Sequence, residues 1–262
     1  MNGIKILKLV GASLAVGVFG TLVWLENRRP LRRSVESKLV RSGRNLAVAG
    51  VSAIAVQLIE TPIVESLAKF VERKKWGILK LVPLPRWLEN ILAIVLMDYT
   101  LYLWHVLSHR VQFLWRFHAV HHADLDLDAS TAIRFHFGEL ILSVPWRAAQ
   151  IVVIGVSPAS LAAWQSFLFV SVLFHHSNLR LPADLEKRLG RLIVTPRMHG
   201  IHHSIVEDET NSNWSSGLAV WDGLHGTLRS DVVQDDITIG IPGFQKPDDL
   251  TVSKILTMPF GK

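Results

Sequence analysis

Residues 105–122 read HVLSHRVQFLWRFHAVHH, and this stretch holds five of the twelve histidines in the 262-residue chain. With a downstream triplet, they form three groups: His105-x-x-x-His109, His118-x-x-His121-His122 and His199-x-x-His202-His203. On an α-helix, side chains three or four positions apart share a face, so we expect each group to direct its imidazoles at one point. Three groups directed at one point predict a metal site.

The number of histidines indicates more than one metal ion. A zinc ion takes four ligands, and imidazole also suits copper, iron and nickel. Eight clustered histidines therefore favour two ions, and binding mainly through neutral nitrogen favours redox iron. Because the chain has no cysteine, disulfides and thiolate sites are excluded, and histidine and carboxylate remain as ligand types.

The composition is that of a membrane protein. Hydrophobic residues make up 49% of the chain, and the mean hydropathy is positive. The net charge of +6 fits basic loops that face anionic lipid headgroups, and we expect no nucleic-acid partner.

Five apolar stretches are candidates for membrane-spanning helices: residues 4–25, 46–70, 88–109, 140–156 and 161–174. We therefore predict an all-α integral membrane protein, a helical bundle of about four to five spans with a cytosol-facing, histidine-rich helical cap. The chain divides into three parts: N-terminal spans and basic loops (1–87), the histidine-bearing region (88–228) and an irregular C-terminal tail (229–262).

The segment 46–87 leaves the topology open. Polar residues and Pro62 interrupt the second stretch, which predicts a kink. The basic run ERKK at 72–75 falls where simple alternation of spans places a loop outside the cell. Either a re-entrant or interfacial segment lies between Trp76 and Trp87, or the second stretch is itself a hairpin.

The fourth and fifth stretches form an out-and-back hairpin, which places every histidine group at one membrane face. An amphipathic helix over 181–194 is expected to lead into the third group. Basic residues between 28 and 44 follow the first stretch, and by the positive-inside rule the histidine face is then cytoplasmic.

Asp98 is a further candidate within an apolar stretch. It lies seven residues before His105, two helical turns along the same face, where we expect its carboxylate to orient a histidine. The alternative is that Asp98 pairs with an arginine or a hydroxyl group and holds helices together.

Shorter motifs accompany the three groups: Asp98-Tyr-x-x-Tyr-x-x-His105, Arg134-x-His136-x-x-Glu139, His176-Ser-Asn178, Thr195-Pro-Arg-Met-His199 and Trp221-Asp-Gly-Leu-x-Gly-Thr227. In this order they resemble the fatty acid hydroxylase and sterol desaturase superfamily over about residues 98–227. Two positions depart from its pattern. Gly138 stands where a proline is common, and His225 stands where an aromatic residue is usual.

The resemblance implies a membrane-bound, mostly helical oxygenase that uses O2 and whose cytosol-facing histidine cluster holds two iron ions. By this resemblance the metal ligands are His105, His109, His118, His121, His122, His199, His202 and His203, with His176 as a ninth. His136 is expected to be a ligand or a hydrogen-bond donor to one. The roles of His175 and His225 stay open.

The sequence therefore predicts an O2-dependent diiron enzyme that hydroxylates or desaturates a C–H position of a membrane lipid. Sterols, fatty acyl chains, ether lipids and carotenoids all remain open as substrates. Because the chain has no G-x-G-x-x-G nucleotide motif, we expect an external electron donor, a reductase acting with ferredoxin or a cytochrome.

The alternative function is a histidine-rich membrane metal transporter or metal-binding protein without redox catalysis. Its ligands should lie along the spans, whereas these histidines cluster at span ends and in loops. A zinc protease is disfavoured because no H-E-x-x-H motif occurs.

Overall fold

The computed structural model describes residues 3–261, with side chains from residue 16 onward. Its α-helices are α1 (Gly3–Arg28), α2 (Lys38–Ala55), α3 (Thr61–Lys74), α4 (Arg86–Arg110), α5 (Gln112–His122), α6 (Phe137–Ile154), α7 (Pro158–His176), α8 (Ala183–Leu189), α9 (Pro196–His202), α10 (Glu207–Thr210), α11 (Val220–His225) and α12 (Val252–Thr257). In the described part of the chain, extended backbone forms only isolated bridges. The predicted all-α fold is confirmed.

Four helical stretches among the described residues are long and apolar enough to cross a membrane: Lys38–Lys80, Arg86–Arg110, Phe137–Ile154 and Pro158–His176. This number agrees with the predicted four to five spans. Helix α1 covers the first predicted stretch, residues 4–25, but the side chains of its first half lie outside the described residues.

The second predicted stretch is one continuous helical path and not a hairpin. A five-residue π-helical turn, Val56–Glu60, joins α2 to α3, and Pro62 follows in the first turn of α3. Proline has no backbone N–H and its ring clashes with the carbonyl four residues earlier, so the helix widens just before it. The kink expected at Pro62 thus takes the form of a π-turn.

Residues 75–85 form a short irregular segment with one 3₁₀ turn at Ile78–Lys80. Trp76, Leu81 and Val82 are exposed there, as expected of an interfacial segment. The basic charge of this loop is partly neutralised, because Lys80 pairs with Glu72 at 2.9 Å and with Glu89.

Contacts at the two ends of the bundle establish the direction of each span. Helix α2 begins beside the residues that follow α5, where Arg41 contacts Asp124 at 2.7 Å. At the opposite end, called here the far end, Gly77 meets Gly155 just after α6. The path α2–α3 therefore runs to the far end, α4 returns, α6 leaves again, and α7 ends beside α9. All histidine-bearing ends lie together.

The material at the histidine end, α5, residues 123–136 and everything after α7, is called the cap. The C-terminal segment is more ordered than the irregular tail predicted from the sequence. It contains α12, and its Leu250 and Ile255 are buried against Val48 of α2 and Val120 of α5. Apolar side chains spaced through an irregular backbone give no helical or strand periodicity, so the sequence pattern did not reveal this packing.

The amphipathic helix predicted over residues 181–194 is shorter than expected. Only Ala183–Leu189 is helical, and Gly190 follows as its C-terminal cap. Ile193 then pairs with Leu218 in an isolated bridge. The backbone of this segment thus bonds across the cap instead of continuing a helix.

Candidate metal centre

Five histidines from three helices form the first group of the centre. Each offers one ring nitrogen, and these atoms lie within 4.8 Å of one another: His105, His109, His118, His122 and His202. Helix α4 supplies the first two, α5 the next two and α9 the last. The pair on α4 converges because residues four apart share a helix face.

Four buried histidines form the second group under the same 4.8 Å criterion: His121, His176, His199 and His203. Helices α5 and α9 therefore contribute to both groups, and α7 contributes to this one. The expectation that each triplet directs all its imidazoles at one point is wrong. Adjacent helical residues point about 100° apart, so His121 and His122 face different groups, as do His202 and His203.

Hydrogen bonds orient most of the rings. Five of the histidines place Nδ1 against a protein oxygen, at 2.6–3.3 Å: His105 with Trp214 O, His118 with Glu139 Oε1, His121 with Arg134 O, His176 with Val172 O and His202 with Ser212 O. Carbonyl and carboxylate oxygens only accept hydrogen bonds, so Nδ1 carries the proton. Each of these rings then presents a bare lone pair at Nε2.

The Nε2 atoms approach one another as closely as the ligands of a single cation do. His105 Nε2 is 3.2 Å from His118 Nε2 and 3.1 Å from His202 Nε2. In the second group His176 Nε2 is 3.0 Å from His121 Nε2. No hydrogen atom is available for a bond between two acceptors, and facing lone pairs repel. Nitrogens that bind one cation at about 2.1 Å and at right angles lie about 3.0 Å apart, so this donor set fits a metal.

Other ring nitrogens are buried without a partner. Both nitrogens of His122 and Nε2 of His109 have no hydrogen bond. A buried unsatisfied polar atom costs about 1–3 kcal/mol. Metal ligation would satisfy His109 Nε2 and one of the two nitrogens of His122, which supports the same assignment.

The cap histidines are held in the neutral form that binds metal. Burial lowers the pKa of His202 to about 3. Burial, followed by the proximity of neighbouring histidines, also places the pKa of His121, His122, His199 and His203 well below its ordinary value. At neutral pH these imidazoles carry no proton that a metal must displace.

His136 lies outside both groups. Its Nδ1 accepts a hydrogen bond from Gly138 N at 3.0 Å, and its Nε2 lies 3.2 Å from Leu256 O. The ring caps the first turn of α6 and ties it to the C-terminal segment. His175 is buried next to His199, with ring centroids 4.1 Å apart, but belongs to neither group. His225 is exposed and contacts Tyr99 Oη at 3.2 Å.

The expectation that Asp98 orients a histidine is wrong. Its Oδ2 accepts hydrogen bonds from the Trp221 indole at 2.7 Å and from Leu218 N at 3.0 Å. Seven helical residues advance about 10.5 Å along the axis, which puts His105 out of reach of the carboxylate. Asp98 instead joins α4 to the cap, through an indole and a backbone amide and not through an arginine or hydroxyl group.

Sequence reasoning gave no role to several residues that orient the histidines. Glu139 was visible in a motif, and its distance of 2.7 Å to His118 Nδ1 now gives it one. The backbone carbonyl groups of Trp214 and Ser212 could not be recognised from the sequence, because every residue carries a carbonyl group.

Comparison with known sequences places this arrangement in a family. A profile of the fatty acid hydroxylase family matches residues 90–227, more than half of the chain. The chain belongs to the fatty acid hydroxylase family. This match contains every histidine of both groups.

Several curated proteins are similar to this fatty acid hydroxylase family member. Ornithine lipid hydroxylase OlsE of Rhizobium tropici is 31% identical over 162 residues, 61% of this chain and 47% of that protein. Mouse cholesterol 25-hydroxylase is 26% identical over 142 residues, 53% and 46% of the two chains. Human alkylglycerol monooxygenase is 25% identical over 137 residues, which cover 51% of this chain and 29% of that protein. The matched region thus spans less than half the length of these relatives. No solved structure matches the chain significantly.

Proposed function

We propose that this family member is an O2-dependent membrane oxidoreductase that hydroxylates a C–H position of a lipid, with one iron ion held by each histidine group. The observation that carries the proposal is the close approach of unprotonated Nε2 atoms in two adjacent groups. The proposed ligands are His105, His109, His118, His122 and His202 for one ion and His121, His176, His199 and His203 for the other.

Two irons bound there would supply the electrons with which O2 attacks an unactivated C–H bond. The chain's own residues prepare the site. Hydrogen bonds at Nδ1 fix the ring orientations before a metal arrives, so little reorganisation is needed. Burial of the rings beneath the cap keeps bulk water away from the reacting atoms.

A lipid substrate is consistent with the positions of the histidine ligands on the apolar helices. Helices α4 and α7 carry ligands at their histidine ends and exposed apolar residues, such as Ile91 and Phe169, along their length. A lipid beside these helices lies next to the centre. The relatives are named for ornithine lipid, cholesterol and alkylglycerol, which share little besides hydrocarbon, so the proposed substrate class is lipid alone.

Hydroxylation is preferred over desaturation because these relatives are named hydroxylases or monooxygenases. We further propose that electrons come from a separate reductase with a ferredoxin or a cytochrome. The proposed cytoplasmic position of the cap would give a soluble donor access.

The test combines metal analysis with lipid analysis. We expect about two irons per chain in purified, iron-loaded protein, and a lipid that gains one oxygen in cells expressing it. His122→Ala should abolish the product, since both nitrogens of His122 are buried in the first group. His225→Ala is the matched control, because this exposed histidine lies outside both groups.

Three results would contradict parts of the proposal. Fewer than one iron per chain after loading would overturn the diiron centre. A product that loses two hydrogens would indicate desaturation. Metal uptake by liposomes containing the protein, without any oxidised lipid, would support the transporter alternative.

A further inference from the structure

The residues that follow Trp214 run down the side of α4 instead of staying at its histidine end. Trp214 O lies 2.6 Å from His105 Nδ1. Four residues later, Leu218 N donates to Asp98 Oδ2 at 3.0 Å. Seven residues of α-helix separate Asp98 from His105 and cover about 10.5 Å along the axis. Residues 214–228, called here the descending loop, therefore enter the bundle alongside α4.

The descending loop then turns and returns along the same helix. Helix α11 forms the turn, and the Trp221 indole donates to Asp98 Oδ2 at 2.7 Å. On the return, Thr227 Oγ1 lies 3.2 Å from Tyr102 Oη, one helical turn closer to the histidines. Thr227 O accepts a hydrogen bond from Asn213 N at 3.0 Å, which closes the loop at its base. The loop thus enters and leaves at the same end of the bundle.

Two other helices show how deep the loop reaches. A Cβ on Gly217 would lie 2.7 Å from Phe167 Cε1, and Phe167 lies nine residues before the end of α7. Trp146 lies nine residues after the start of α6, and its indole donates to Thr100 O, two residues beyond Asp98 on α4, at 3.1 Å. Nine helical residues cover about 13.5 Å, almost half of the roughly 30 Å hydrocarbon core. Because α4, α6 and α7 are long and apolar enough to cross a bilayer, the loop reaches the depth of its middle.

The outer surface of the descending loop is apolar and carries little charge. Val220, Leu224 and Leu228 follow one another at intervals of four residues and are 48%, 69% and 48% exposed. The only ionisable side chains between residues 216 and 228 are Asp222 and His225, and Asp222 is buried. An exposed apolar patch of this kind is unfavourable in water and favourable against hydrocarbon.

The irregular backbone of the loop finds its hydrogen-bond partners inside the protein, as a position within hydrocarbon requires. Ala219 N donates to Leu192 O at 3.0 Å, and Val194 N donates to Gly217 O at 3.1 Å. The Asp222 carboxylate accepts hydrogen bonds from three groups of the loop itself: Trp214 N at 2.9 Å, Ser215 N at 3.0 Å and Thr227 Oγ1 at 2.7 Å. These polar groups therefore do not depend on water.

We propose that the descending loop is a re-entrant membrane segment whose Val220, Leu224 and Leu228 contact the acyl chains of the bilayer. The partner is hydrocarbon, and not another protein or a lipid headgroup, because the depth of the loop and its apolar surface both match the bilayer interior. The proposal rests on α4, α6 and α7 crossing the bilayer, and it is independent of the chemistry proposed for the histidine groups.

The experiment measures depth in the bilayer by fluorescence quenching. The chain has no cysteine, so Leu224→Cys can be labelled selectively with a small thiol-reactive fluorophore. The labelled full chain is reconstituted in three sets of phosphatidylcholine vesicles. One set has bromine atoms in the middle of the acyl chains, one has a nitroxide on the headgroup, and one has neither quencher. Fluorescence relative to the third set removes the effect of nearby tryptophans and of bound metal.

Two exposed apolar residues provide matched controls. Val170→Cys lies along α7 and reports a side chain that faces hydrocarbon. Val35→Cys lies in the linker between α1 and α2 and reports an apolar side chain outside the hydrocarbon. We expect bromine to quench the Leu224 label by at least about half the fraction measured at Val170, and more strongly than the headgroup nitroxide does. The Val35 label should respond little to bromine.

Three outcomes would overturn the proposal. Bromine quenching of the Leu224 label as weak as that of the Val35 label would place α11 in water. Stronger quenching by the headgroup nitroxide than by bromine would place α11 at the membrane surface. Absence of bromine quenching at Val170 would contradict the crossing of α7 on which the proposal rests. If Leu224→Cys does not fold, Val220→Cys and Leu228→Cys make the same comparison on the same surface.

Discussion

At the scale of single residues, Glu139 links the membrane bundle to the metal centre. It lies in the first turn of α6 and its Oε1 is 2.7 Å from His118 Nδ1. A carboxylate that accepts a hydrogen bond from Nδ1–H fixes the tautomer and makes Nε2 a stronger ligand. We expect Glu139→Gln to lower metal affinity about 10- to 100-fold, measured by competition with a chelator of known affinity.

The control for this prediction is Glu207→Gln, an exposed carboxylate in α10 that belongs to neither histidine group. It should leave metal affinity unchanged. Equal affinity of the Glu139→Gln variant and the wild-type protein would show that the hydrogen bond to His118 does not tune the ligand.

Arg41 is the second residue whose contacts allow a quantitative prediction, here for the stability of the protein. Its guanidinium binds Asp124 at 2.7 Å and also Asp128, and all three side chains are buried. Burial alone would raise the pKa of Asp124, but the charges of Arg41 and Arg134 outweigh it and bring the pKa below its ordinary value. Asp124 is therefore ionised and depends on its cationic partners.

We expect Arg41→Met to lower the free energy of unfolding by about 3–5 kcal/mol, because it leaves buried carboxylates without a counter-charge. Thermal or denaturant unfolding in detergent would measure the loss. Arg191→Met, at an exposed arginine, should change little. If the network acts as a unit, adding Asp124→Asn to Arg41→Met should recover part of the loss, and strict additivity of the two substitutions would argue against coupling.

At the scale of helices, the far end depends on two glycines in close contact. Gly77 has φ +105° and Gly155 has φ +90°. A Cβ on Gly77 would lie 2.3 Å from Gly155 Cα. The obstacle is backbone, which cannot rotate away, and the positive φ disfavours any other residue. This contact joins the segment after α3 to the end of α6.

Gly77→Ala should therefore lower the free energy of unfolding by more than about 1 kcal/mol. Gly50→Ala is the matched control, since Gly50 is helical and a Cβ there meets nothing within 4 Å. That substitution should raise stability by about 0.5–1 kcal/mol through its better helix propensity. A Gly77→Ala variant as stable as the wild type would mean that the far-end contact is looser than described.

At the scale of the whole molecule, the direction of the bundle predicts its orientation in the membrane. The basic linker between α1 and α2 lies at the histidine end, so from the positive-inside rule we expect the cap to face the cytoplasm. The far-end loop is also basic, but Glu72 and Glu89 bind Lys80 there. The rule counts lysines and arginines, and there are five between residues 72 and 86 against seven between residues 28 and 44.

The natural chain has no cysteine, so single introduced cysteines can report this orientation without background. We expect Lys74→Cys, exposed at the far end, to react with a membrane-impermeant thiol reagent applied to intact cells. Asp248→Cys, exposed in the cap, should react only after the membrane is opened. The reverse pattern would place the cap, and with it the metal centre, outside the cell.

The amino-acid sequence and its family resemblance predicted the helical, apolar character of the chain and the nine histidines that the structure brings together, along with His136, which lies outside both groups. The length of an apolar stretch and the spacing of histidines by three or four residues are local properties of the chain. They can be read from the sequence because each helix forms its own backbone hydrogen bonds. The break in regular helix at Pro62 was also predicted from the sequence, because proline lacks an N–H, but its form as the π-turn Val56–Glu60 was not.

Only the tertiary structure decided how the histidines divide. Helix geometry alone makes the adjacent His121 and His122 point apart, but it does not state which neighbouring helix each one meets. The partners of His121 on α7 and α9 were therefore visible only in the folded structure. The carbonyl groups of Trp214 and Ser212 became partners of histidines for the same reason.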